Sequence, residues 1–132
     1  MRFMLMMHAP NTRDGQYQIS SWTPEDFAAH IDFMRRINRE LTERGELAGA
    51  EGLAPPGQAK LVRAGKDAGQ PVTDGPFAEA KEFLVGYWIV DVESEERAHA
   101  IAAHVSAAPG PGGAPLYMPI EVRQVMSAPL PR

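Results

Sequence analysis

The run Phe83-Leu84-Val85-Gly86-Tyr87-Trp88-Ile89-Val90 constrains the fold more than any other part of the chain. It follows a charged turn and is the most apolar segment present, so Glu82 to Val92 is expected to form a central strand. Strict alternation places Phe83, Val85, Tyr87 and Ile89 on one face and Leu84, Trp88 and Val90 on the other. Both sets are apolar, so both faces need cover. Phe3 to His8 poses the same demand, with Phe3, Leu5 and Met7 on one side and Met4, Met6 and His8 on the other. Tyr87 and Trp88 therefore serve opposite faces.

Two helices are expected. Thr23 is a capping residue, Pro24 fits a first helical turn, and Asp26 suits the positive end of the helix dipole. Phe27, Ile31, Met34, Asn38 and Leu41 follow with helical spacing, and Gly45 ends the segment. Arg35, Arg36, Arg39, Asp32 and Glu43 fall on its opposite side. Ser94 caps the second helix, whose stripe is Ala98, Ile101, Ala102 and Val105, and Pro109 stops it. Leu47 to Leu53 and Ala59 to Ala64 are short strand candidates joined by a Pro-Pro-Gly turn. Pro71 to Thr73 is a further extended piece. In the last strand, Ile120 to Met126, Ile120 and Val122 face one way and Glu121 and Arg123 the other. The Gly- and Pro-rich run Pro109 to Gly113 reads as a flexible loop.

This order predicts an α+β, ferredoxin-like split βαβ domain over residues 1–132. Its sheet is mostly antiparallel, with both helices on one face. A monomer would leave the other apolar face bare, so a homodimer packed through the open sheet faces is expected.

Composition narrows the function. The chain has 132 residues and 44% hydrophobic side chains, enough for one packed core. Thirteen basic against 17 acidic side chains give a net charge of -4, which points away from nucleic-acid binding. There is no cysteine, so disulfides, thiolate zinc sites and cysteine nucleophiles are excluded, and a cytoplasmic location is expected. The apolar run at Met1 to Met7 is too short for a leader, and nothing approaches the roughly 20 apolar residues of a membrane span. No His, Asp and Glu set has convincing metal spacing, and no nucleotide loop is present, so neither metal nor cofactor is expected.

Two segments carry a resemblance. DGPFAEAKEFLVGYW (Asp74 to Trp88) and GELAGAEGLAPP (Gly45 to Pro56) resemble the YCII-related family in its DGPF branch, and Ile120 to Arg123 fits that family's last strand. Ala80 stands where the branch pattern usually has threonine. The resemblance implies a dimeric ferredoxin-like domain with a His–Asp pair in a cleft. It also implies an association of branch members with extracytoplasmic-function sigma factors.

On that resemblance His30 and Asp74 correspond to the pair. His30 lies at the edge of the apolar face between Phe27 and Ile37, where partial burial would tune an imidazole for proton transfer. The plainer reading is a core-edge histidine with one satisfied hydrogen bond. Asp74, ahead of Gly-Pro, either fixes the turn or orients the imidazole. Lys81 would attract an anionic ligand or merely rim the turn with Glu79 and Glu82. With Lys81, the residues His8, Gly75, Phe77 and Trp88 complete a candidate ligand-binding set for a small molecule. Two functions follow as expectations: proton-transfer catalysis (elimination, isomerisation or hydrolysis) and a non-catalytic ligand-sensing module acting with a sigma factor.

Overall fold

Residues 1–10, 21–66, 72–74 and 82–126 are described by the computed structural model. The elements run β1 (Arg2–Pro10), α1 (Pro24–Glu43), β2 (Leu47–Gly52), β3 (Leu61–Arg63), β4 (Val72–Asp74), β5 (Glu82–Asp91), α2 (Glu95–Ser106) and β6 (Ile120–Gln124). Four strands form one sheet in the order β2-β5-β1-β6, and every neighbouring pair is antiparallel. This is the split βαβ plan. The two remaining strands, β3 and β4, pair with each other and stand outside the main sheet. The segment after β2 is thus not a hairpin back along it. Pro56–Gln58 makes a single 3-10 turn and β3 leaves the sheet edge.

Local chemistry sets the helix ends. Thr23 Oγ1 accepts the Asp26 N–H at 3.1 Å at the start of α1. At its other end Gly45 adopts φ +71°, a left-handed conformation that favours glycine. There the Glu46 N–H donates to the Leu41 carbonyl at 2.8 Å and the Gly45 N–H to that of Thr42 at 3.0 Å. Ser94 Oγ caps α2 by accepting the Arg97 N–H at 3.2 Å.

One core joins the inner face of the sheet to both helices. Phe3, Leu5, Met7, Trp88 and Val90 pack with Ile37 and Leu41 of α1 and with Ala98, Ile101, Ala102 and Val105 of α2. Full burial of a side chain such as Leu5 is worth about 1.5–3 kcal/mol. Ile120 and Val122 close the core from β6, as their spacing predicts. The other face of the sheet carries Met4, Met6, Tyr87 and Ile89, all half-buried.

Three expectations need correction. The buried stripe of α1 is His30, Ile37 and Leu41 with Phe33 and Met34 beside it, while Phe27 is 43% exposed. Phe27 belongs to the first turn, and the stripe starting there is rotated away from the sheet. Second, β5 does not alternate throughout. Met7 pairs with Gly86 and His8 with Leu84, so Val85 is an extra residue, a β-bulge. Val85 and Gly86 are both buried, and Val85 joins the core that holds Trp88 and Val90. Leu84, paired with His8, shares the open face with Tyr87 and Ile89. Third, the Pro109 to Gly113 run is a hydrogen-bonded closure. Pro109 bridges Pro115, the Gly110 N–H donates to the Ala114 carbonyl at 2.8 Å, and the Gly112 N–H reaches Asp26 Oδ2 at 3.2 Å. A Cβ on Gly110 would lie 2.5 Å from Leu116 Cδ2, so a side chain there would have to displace Leu116.

Candidate functional site

A cavity of about 320 Å3 opens between α1 and the β2–β5 edge of the sheet. His30, Ile31, Met34 and Asn38 line it from the helix. Met7, Ala50, Val85, Gly86 and Trp88 line it from the strands, with Gly52 at the end of β2 and Leu53 just after it. The residues His30, Met34 and Asn38 are spaced four apart, so they stack along one side of α1. Gly86 keeps the strand wall thin, because a Cβ there would come within 3.2 Å of the Glu51 carbonyl oxygen. The bulge turns Val85 into the cavity beside it.

His30 is 2% exposed and is the one buried polar or charged residue among those described. Its Nδ1 lies 3.0 Å from the Pro109 carbonyl oxygen. A carbonyl only accepts, so Nδ1 carries the proton and, in the neutral ring, Nε2 carries the lone pair. Trp22 packs edge-on against the imidazole, with centroids 5.3 Å apart. Burial desolvates the charged form and holds the His30 pKa below its ordinary value, and the Pro109 hydrogen bond offsets part of that. The group at the cavity wall is therefore a neutral imidazole at neutral pH.

Asn38 Oδ1 accepts the Trp88 indole N–H at 2.8 Å. This bond ties α1 to the central strand and fixes both side chains. An asparagine on an otherwise apolar stripe, eight residues after His30, is a signal the sequence offered. Trp22 and Pro109 left none, since one acts through a ring contact and the other through a backbone carbonyl.

The predicted site residues divide. His30 and Trp88 meet at the cavity. His8 lies on the opposite face of the sheet, where its Nε2 is 3.1 Å from Glu121 Oε1 and Arg123 Nε is 3.9 Å from the other oxygen of that carboxylate. The backbone of Asp74 ends β4 opposite Leu61. The Asp74 side chain, and Gly75, Phe77, Glu79, Ala80 and Lys81, lie outside the described residues. Among those described, no helix is long and apolar enough to cross a membrane, and no group of three His, Asp or Glu side chains could hold a metal ion.

Fold and site together define a ferredoxin-like α+β domain with an apolar cavity beneath its first helix and a buried imidazole in the wall. A model of the YCII-related domain matches residues 1–112, which include every residue lining the cavity. The chain belongs to the YCII-related family. An uncharacterized protein of Rhizobium meliloti (strain 1021) is 30% identical over 104 residues, covering 78% of this chain and 82% of the relative.

Proposed function

We propose that the cavity beneath α1 takes a small-molecule ligand and that His30 moves a proton to or from it. The observation that carries this reading is the state of His30: a buried, neutral imidazole set in a cavity wall, with its tautomer fixed by Pro109. That is the form a general base needs, with Nε2 as the basic nitrogen. Elimination, isomerisation or hydrolysis are the reactions such a group supports.

The segment DGPFAEAKE further supports placing the chain in the DGPF branch. On that placement Asp74 is the acidic partner, stabilising the imidazolium once it forms. Orientation of the ring does not require it, since the Pro109 carbonyl supplies that. Packing of the open sheet face against a second copy completes the proposal, supported by Met4, Met6, Tyr87 and Ile89 on that face.

The test is an NMR titration of His30 in the wild type and in Asp74→Asn. His30 should titrate below the ordinary imidazole value of about 6.5, and lower still once the Asp74 charge is removed. A His30 value indifferent to Asp74→Asn would break the pair. An ordinary value would remove the argument for a poised base, and a non-catalytic module, working with a sigma factor as its branch suggests, would then be the better reading.

A further inference from the structure

The polar group at the far end of the cavity has a chemistry of its own. Asn38 lines the same wall as His30, two helical turns on, about 12 Å along the α1 axis. Its amide could in principle face either way, but the Trp88 indole nitrogen only donates. The atom 2.8 Å from it must therefore be the Asn38 carbonyl oxygen. The Nδ2 amine is then directed away from Trp88. It has no hydrogen-bond partner among the described residues, and it is not a sealed, unsatisfied buried atom. Two N–H donors are thus held in a fixed plane at a cavity wall by a bond that uses only the acceptor side of the amide.

The rest of the lining says what those donors would meet. Met34, Val85, Leu53 and Trp88 offer apolar contact, and among the described residues no Lys or Arg lines the cavity. The one charged lining residue among those described is Glu51, an exposed carboxylate that disfavours an anion. His30 is neutral there. A volume of about 320 Å3 sits at the small end of ligand sites, which run from about 300 to 1,000 Å3. We infer that Asn38 is a binding residue that grips the oxygen of a neutral, ring-sized carbonyl compound lying against Trp88. The inference rests on the cavity being the ligand site, and adds the class of ligand and the residue that selects it.

The experiment uses 15N-labelled full-length chain and two matched probes, acetophenone and ethylbenzene, which differ by the carbonyl oxygen. Acetophenone should shift the Asn38 side-chain amide and Trp88 indole resonances and bind more tightly than ethylbenzene. Asn38→Asp keeps an acceptor for Trp88 but removes the donors, and Asn38→Leu removes both. Each should weaken acetophenone by about fivefold, the worth of one neutral hydrogen bond, and leave ethylbenzene within about twofold. The backbone amide resonances away from Asn38 and Trp88 report whether each variant keeps its fold. Acetophenone affinity unchanged in Asn38→Asp and Asn38→Leu would overturn the role of Asn38 while leaving the cavity as a ligand site. Equal losses for both probes would overturn it too, since shape and not the oxygen would then be read. If neither probe shifts any cavity resonance of the wild type, the ligand-site reading fails and takes this inference with it.

Discussion

Glu46→Gln should lower the melting temperature by about 7 °C, and the reasoning is quantitative. Glu46 sits between α1 and β2, and Arg97 is the third residue of α2. Their contact is a fork: Arg97 Nε lies 3.0 Å from Glu46 Oε2 and an Arg97 terminal nitrogen 2.8 Å from Oε1. The side chains are 14% exposed for Glu46 and 28% for Arg97. Exposed pairs give about 0.2–1 kcal/mol, whereas breaking a fully buried pair costs about 3–5 kcal/mol. This geometry lies between them, at about 2 kcal/mol. A cation in the first turn of a helix is also disfavoured by the helix dipole, so Arg97 depends on its carboxylate. At about 2 cal/mol/K of unfolding entropy per residue, that loss corresponds to the shift of about 7 °C. The assay is calorimetry on the wild type, Glu46→Gln, Arg97→Met and the double variant, which should show a coupling of about 2 kcal/mol. The pH dependence is a second check. Hydrogen bonding to Arg97 holds the Glu46 carboxyl below its ordinary value. Its contribution is complete above the unfolded carboxyl value of about 4.3 and is lost as pH falls through the lower folded value. The gap between wild type and Glu46→Gln should therefore close in acid. A shift under about 1 °C, or additive single variants, would refute the fork as a stabilising contact.

His30 makes the same demand for a deprotonated group, at higher pH and with a neutral ring in place of a charge. Because burial holds its folded pKa below the unfolded one, stability is full above the unfolded value of about 6.5 and falls as pH drops from there through the folded value. Urea unfolding of His30→Gln should show less loss between neutral pH and pH 5 than the wild type, and equal slopes would contradict burial of a neutral ring. Ile89→Asp, placed on the open face opposite Met4 and Gly49, should leave the fold intact and convert the proposed dimer to monomer in light scattering. An unchanged mass for this variant would move the interface elsewhere.

What the sequence made legible was local. The Thr23 and Ser94 caps, the Gly45 stop, the α2 stripe and the β6 faces each follow from residues within a turn or two of one another. The split βαβ plan followed from the order of elements along the chain. The misread features depend on partners distant in the chain. His30 is buried because Trp22 and Pro109, the latter 79 residues on, enclose it. Nothing in the α1 sequence weighs Phe27 against Ile37 as the centre of its stripe. The bulge had one trace, a glycine inside a strand, which often marks such a site, but Gly86 did not reveal which neighbour was the extra one. Asn38 was visible as a polar residue in an apolar row and gained its meaning only when Trp88 came within 2.8 Å.

The extra residue at Val85 gives β5 an unusual tolerance. Removing it would leave Phe83 and Leu84 in the pairings they already hold with Ala9 and His8, because the partner strand never counted Val85. A relative with a one-residue gap at this point would keep every pairing with β1, and would lose a hydrophobic wall of the cavity and the 2.9 Å bond from the Leu53 N–H to the Val85 carbonyl. Length variation here would therefore record changes of cavity size during the history of the fold.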